Sequence, residues 1–423
     1  MLTWVRKLKA GLHACAYLVM WFLAHGLFRR AFEAKITAWS PHIVHAHDGL
    51  SLPLLVHAAG HSNAVSVFDS HELEAHRNHP LIWAMRRRIS ALERRYLPQT
   101  DAVLTVSETI ANHLSAHYAI ARPTVLFNTP ALRPAPLPDR WQGTPRTSVR
   151  TETQLSNDAL LLVYTGNIAA GRGIEQTLIG LAHYLKHNTQ VRDIHLSLVG
   201  SVSPALQTKL ETQAKHLGVH NRLQFHPSVP ATDVTRFIAD ADIAVLPILP
   251  DVMSHQYAMP NKLFEALQAG LPILGADLEE MSKFIRANNL GICFDPFSAH
   301  SFSDALERLL LSCAPPQKRR KHFAQVSKTY CWEAQSDKLL SLYESFDLAD
   351  HPIRVAMVVP NPCDPDYRVV KQAQTLANAG YQVKVYCTLP AGPDLPVFET
   401  INGVEYERIA FSPRAMITPR WLR

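Results

Sequence analysis

Short apolar or β-branched runs recur along the chain, each separated from the next by a stretch of helical period. Before residue 130 they are His42–Ala46, Ser66–Asp69 and Ala102–Val106. After residue 157 they are Leu160–Tyr164, His195–Val199, Leu223–Phe225, Ile243–Leu246, Pro272–Leu274 and Gly291–Phe294. Strands alternating with helices predict parallel sheets covered by helices, hence an α/β chain of two doubly wound domains. In such sheets, sites gather at the carboxyl ends of the strands.

Two segments interrupt this order. Pro130 to Asn157 carries Pro130, Pro134, Pro136, Pro138 and Pro145 among Thr and Ser, so residues 131–157 read as an extended linker. At the far end, Ile353–Val359 reads as a strand, Tyr367–Ala379 as a helix closed by Gly380, and Tyr381–Cys387 as a second strand. One βαβ unit buries too little surface to stand alone, so it must join another sheet. The expected division is 1–130 plus 353–412 for the first domain and 158–346 for the second.

Composition narrows the class. With 423 residues, 47% of them hydrophobic and 18% charged, the chain has the balance of a globular protein and not of a disordered one. The first hundred residues hold 12 Lys/Arg against 6 Asp/Glu, an excess equal to the whole net charge of +6. Such a local basic surface suits a membrane or a phosphorylated substrate better than nucleic acid. Six scattered cysteines with no C-x-x-C pair point to a reducing compartment. The apolar run Ala14–Ala24 falls short of the roughly 20 residues that a bilayer crossing needs. Arg6, Lys7 and Lys9 on one side and Arg29 and Arg30 on the other fit a helix lying in the membrane interface, or else a buried helix of the first domain. A second basic element carries Trp83, Arg86, Arg87, Arg88, Arg94 and Arg95.

Three clusters can carry chemistry. Tyr164-Thr165-Gly166-Asn167, continuing through Gly171-Arg172-Gly173, follows a strand and opens a helix. Glycines admit an anion to the backbone, the helix amino terminus offers N–H donors, and Arg172 adds a cationic fork. In Met259-Pro260-Asn261-Lys262-Leu263-Phe264-Glu265, Pro260 can start a helix that puts Lys262 and Glu265 on one face, suited to a diphosphate and a ribose. His45-Ala46-His47-Asp48 and Asp69-Ser70-His71-Glu72 each end a strand, where they could hold substrate, a metal, or simply structure.

Taken in order, these motifs resemble the family-4 glycosyltransferases of the GT-B fold, together with Asp101–Ser107, Phe127-Asn128-Thr129-Pro130, Asp242–Pro247 and Pro260–Glu265. The resemblance implies two Rossmann-like domains facing a cleft, a nucleotide-sugar donor held mainly by the second, and transfer with retention of anomeric configuration. It implies that Arg172 and Lys262 neutralise the donor diphosphate, that Glu265 binds the ribose, and that His71 serves the donor sugar. Gly166, Asn167, Gly171, Tyr257 and Asn261 complete the expected donor site, and His47, Asp48 and Arg368 are the acceptor-side candidates. No metal and no cofactor are expected. Tyr257 stands where the first acid of the family's E-x7-E pattern would fall, and Asn167 where an arginine is frequent.

The tail Ile353–Thr388 resembles the opening of the same family's first domain, which is missing at the front, so a circular permutation is expected. The resulting expectation is a retaining glycosyltransferase, cytoplasmic and peripheral on the inner face of the membrane. Its acceptor is expected to be a cell-surface glycan or its polyisoprenoid-linked precursor. A GT-B sugar-nucleotide epimerase and a donor-binding protein without transfer activity are the alternatives.

Overall fold

The computed structural model describes residues 23–77, 83–134, 138–141, 146–156, 158–188, 193–312, 316–349, 352–390 and 394–411. Contacts divide them into two units: residues up to Leu126 together with those from Ser336 onward, and Phe127–Gln335.

The first unit opens with a helix over residues 23–38 (α1). There follow β1 (Ile43–His47), α2 (Leu52–Ser62), β2 (Val65–Ser70), α3 (Trp83–Tyr96), β3 (Ala102–Thr105), α4 (Glu108–Tyr118) and β4 (Thr124–Val125). The second unit comprises α5 (Val149–Thr153), β5 (Leu160–Thr165), α6 (Ile174–His187), β6 (Ile194–Val199), α7 (Pro204–His216), β7 (Leu223–His226) and α8 (Val234–Ile238). It continues through β8 (Ile243–Leu246), α9 (Met253–Gln256), α10 (Asn261–Ala269), β9 (Ile273–Ala276), α11 (Glu279–Ala287), β10 (Gly291–Phe294), α12 (Ala299–Ser312) and α13 (Pro316–Thr329). Helix α14 (Trp332–Glu344) returns the chain to the first unit, which ends with β11 (Arg354–Val358), α15 (Tyr367–Asn378), β12 (Gln382–Leu389), β13 (Phe398–Ile401) and β14 (Val404–Ala410).

In the first unit the strands run β13-β14-β12-β11-β1-β2-β3-β4, so tail strands lie beside the first strand of the described residues. β1 pairs with β11 in parallel, Ile43 opposite Val355 and Ala46 opposite Val358, and with β2 on its other side. All five residues of β1 are buried, as a parallel strand covered on both faces requires. Asp366 starts α15 by accepting hydrogen bonds from the N–H groups of Arg368 and Val369, which satisfies two donors that the first helical turn leaves open. The second unit has a parallel sheet in the order β10-β9-β8-β5-β6-β7, with its core around Leu162, Leu196, Val245 and Phe302.

The structure corrects two expectations and decides between the alternatives in a third. The stretch 131–157 is not simply an extended linker: α5 buries Val149, and Arg150 binds Asp242 at 2.5 Å within the second unit. Residues from Ser336 to the end of α14 belong to the first unit and not to the second. Of the two readings of the apolar run near the amino terminus, the described part follows the second, because α1 buries Phe28, Phe32 and Ile36 in the first unit; residues 1–22 lie outside the described residues. Among the described residues, no helix is long and apolar enough to cross a membrane.

Candidate active site

Gly166, Asn167, Arg172, Lys262 and Glu265 gather at the carboxyl end of β5 and the amino end of α10. The turn after β5 needs glycine: Gly173 caps α6 at φ 76°, and a side chain there would start 1.7 Å from the Pro247 carbonyl oxygen that follows β8. Leu249 donates its N–H to the Gly171 carbonyl at 3.2 Å, which ties this loop to the segment after β8. Gly166, at φ 102°, leaves room for the Lys262 ammonium, whose Nζ lies 3.4 Å from where a side chain would begin.

Lys262 is set by Tyr164. Its Nζ donates to the Tyr164 hydroxyl at 2.9 Å and sits 4.1 Å from the ring centre, and the hydroxyl in turn donates to the Asn167 carbonyl at 2.9 Å. Burial, reinforced by the charge of Arg172 and opposed by that of Glu265, draws the Lys262 ammonium down to about 7. An ammonium in that condition gains strongly from an incoming anion. Glu265, three residues along α10, accepts the Thr165 hydroxyl at 3.1 Å, and the Asn167 side chain accepts the Ser201 hydroxyl at 3.2 Å. Asn261 opens α10 and is exposed, whereas Tyr257 caps α9 and is half-buried. The arrangement can hold a diphosphate on backbone N–H groups and two cations, with a carboxylate nearby for a hydroxyl-bearing group.

In the first unit the polar cluster forms at the ends of β1 and β2. Arg368 donates to both oxygens of Asp69, Nε to Oδ2 at 2.8 Å and Nη2 to Oδ1 at 2.7 Å, and Gln372 donates to Oδ2 at 2.7 Å. The guanidinium holds the Asp69 carboxyl well below its ordinary range despite full burial. His71 Nδ1 meets Asp48 Oδ1 at 3.2 Å, and its Nε2 lies 3.4 Å from Asp69 Oδ2 and 3.2 Å from His47 Nδ1. Against the pull of burial, Asp48 and Asp69 raise His71 to about 9, so it is an imidazolium at neutral pH. His45 and His47 are neutral, because burial lowers both.

Two acceptor-side candidates are thereby reassigned. Arg368 is 3% exposed with its donors committed to Asp69 and the Leu126 carbonyl, and His47 is fully buried, so both support the site from behind; Asp48 is half-buried at its edge. The ligand atoms of His45, His47 and Asp69 lie within 4.8 Å of one another. A cation does not suit them, since both Asp69 oxygens already face a guanidinium and His71 adds a second positive charge.

Sequence reasoning missed Tyr164 as the seat of Lys262, Asp69 and Gln372 as the grip on Arg368, and Ser201. Asp69 did stand in the quoted Asp-Ser-His-Glu run, but its partner is 299 positions away.

Comparison with known proteins gives matches in both units. Residues 12–129 match Glycosyltransferase Family 4, and residues 159–312 match the group 1 glycosyl transferases. D-inositol 3-phosphate glycosyltransferase of Geodermatophilus obscurus is 24% identical over 59% of this chain and 54% of its own length. The chain thus spans about half the length of that curated relative. Sucrose-phosphate synthase from Thermosynechococcus elongatus shares the fold at a TM-score of 0.62 and 19% identity, covering 78% of this chain and 80% of that one. The Anabaena protein HepE, solved in complex with UDP, does so at 0.55 and 14%, covering 74% and 82%. By these matches, residues 12–129 and 159–312 carry the family 4 and group 1 glycosyl transferase patterns, and the two α/β units have the fold of the GT-B glycosyltransferases.

Proposed function

We propose that the protein transfers a sugar from a nucleotide-sugar donor to a glycan or polyisoprenoid-linked acceptor with retention of configuration. The observation that carries this reading is the partly neutralised Lys262 held beside Gly166, with Arg172 adding to the same field. As the bond from the sugar to the diphosphate breaks, charge grows on the departing phosphate. Cations fixed there beforehand stabilise the transition state more than the ground state. Glu265 accepts from the donor ribose in this reading, and the His71 imidazolium serves the transferred sugar. No metal is needed for the leaving group, because Arg172 and Lys262 supply the positive charge.

Helix α3 supports a peripheral membrane location. It exposes Trp83, Arg86, Arg87, Arg94 and Arg95 while burying Met85 and Ile89, and each basic residue near an anionic surface is worth about 1 kcal/mol. We also read the tail strands beside β1 as a circularly permuted order of the first domain, a reading supported by the β1–β11 register.

Incubating the purified chain with labelled nucleotide sugars tests the function. Transfer to a glycan or slow hydrolysis that retains configuration supports it. An isomerised donor, or binding without turnover, overturns it.

A further inference from the structure

In the first unit, the loop after β1 and the turn after β2 meet beside His71. Asp48 adopts φ 61°, a left-handed conformation that few side chains accept and that aspartate tolerates better than most. Its carbonyl accepts the Ser51 N–H at 3.1 Å and the Ser51 hydroxyl at 2.7 Å, and its own N–H donates to the Asp69 carbonyl at 3.3 Å. So turned, its carboxylate meets His71 Nδ1 at 3.2 Å. On its other side His71 faces Asp69 and His47, and the hold of Asp69 on Arg368 and Gln372 does not involve this loop.

The next peptide is gripped by Glu74, which opens the short helical turn Glu74–His76. Glu74 Oε1 accepts the Gly49 N–H at 3.1 Å and Oε2 accepts Arg77 Nη1 at 3.0 Å, while Arg77 Nε donates to Glu72 at 2.9 Å. The fit is close: a side chain on Gly49 would start 3.0 Å from Cδ and Cγ of Glu74. Glu74 is 3% exposed. Burial, with Asp48 and Glu72 pushing the same way against Arg77 and the Gly49 N–H, raises its carboxyl to about 7, and it acts in turn on Glu93 of α3. A buried acid among acids is costly, and such groups gather at functional sites.

We propose that Glu74 is a positioning residue for His71: by holding the Gly49 N–H it fixes the turn at Asp48, and the Asp48 carboxylate then orients the His71 ring. Its consequence for transfer rests on the reading that His71 serves the donor sugar.

The test sets the full chain beside Glu74→Ala, Glu74→Gln, Asp48→Asn and the Glu74→Ala/Asp48→Asn pair. Two quantities are read: the NMR midpoint of the His71 ring, and turnover of the labelled nucleotide sugar on which the parent is fastest. Glu74→Ala should lower the midpoint from about 9 toward 6.5. It should also cut turnover about 10-fold or more with a smaller change in donor KM, the cost of a misplaced group beside the chemistry. Glu74→Gln removes the same charge but keeps an oxygen for the Gly49 N–H, so its midpoint should stay near the parent's. The pair should be no worse than Asp48→Asn alone, because both changes act through one contact. An unmoved midpoint in Glu74→Ala, an equal fall in Glu74→Gln, or additive losses in the pair overturns the proposal. If Glu74→Ala does not fold, Gly49→Ala takes its place, since the added methyl crowds the Glu74 side chain off the turn. A lowered midpoint there supports the proposal, and a parental one overturns it. A lowered midpoint with parental turnover supports Glu74 as the prop of His71 and overturns instead the role given to His71 in transfer.

Discussion

Arg368 closes on Asp69 through two parallel hydrogen bonds of 2.8 and 2.7 Å, although 299 positions separate the two residues. With side chains 3% and 0% exposed, this is a buried ion pair that locks a tail helix to β2. Removing one member leaves the other charged and buried.

Arg368→Ala should therefore destabilise the first unit by about 3–5 kcal/mol. Denaturant unfolding followed by a probe in that unit measures it. Because the native Asp69 carboxyl is depressed, its contribution is present above the ordinary carboxylate range and is lost as pH falls through and below that range. In Asp69→Asn that acid-side loss should flatten.

His71 makes the opposite prediction. Its folded value near 9 lies above the ordinary histidine value of about 6.5, so its contribution to stability is complete below about 6.5 and fades as pH rises through 9. Titrating the His71 ring proton by NMR should give a midpoint near 9, and a midpoint near 6.5 would mean that the Asp48 and Asp69 contacts do not persist in solution.

Lys262 ties nucleotide binding to a proton. An ammonium drawn down to about 7 must be charged to hold a diphosphate, so binding above pH 7 takes up a proton, and affinity should fall by up to about tenfold per pH unit from 7 to 9. Calorimetry in buffers of different ionisation enthalpy reads the uptake for a nucleoside diphosphate, and Lys262→Met should abolish it.

Much of this was legible in the chain because most strands are buried on both faces and read as continuous apolar runs; β5, β8 and β11 are examples. The β13–β14 hairpin was missed because Phe398–Ile401 and Val404–Ala410 alternate with charges, yet Asn402-Gly403 between them is a strong two-residue turn signal. The loop glycines and Lys262 could be found from local spacing. Tyr164 could not be assigned to Lys262, since 98 positions separate them and only the sheet brings them together.

The tail strands make a sharp truncation test. Ending the chain after Asp350 removes β11, β12, β13 and β14 and leaves the edge of β1 that pairs with β11 without its partner. The first unit should lose its cooperative melting while the unit Phe127–Gln335 keeps its own. A truncated chain with an unchanged melting profile would show that β11 is dispensable to that sheet.

The most direct measurement is single-turnover sugar transfer, or donor hydrolysis, by Arg172→Ala and Lys262→Ala beside the parent at saturating donor. The account predicts that each loses about 10²-fold or more in rate, with a smaller loss in donor affinity, because the charge these cations meet grows as the bond to the diphosphate breaks. Parent rates in both variants would contradict it.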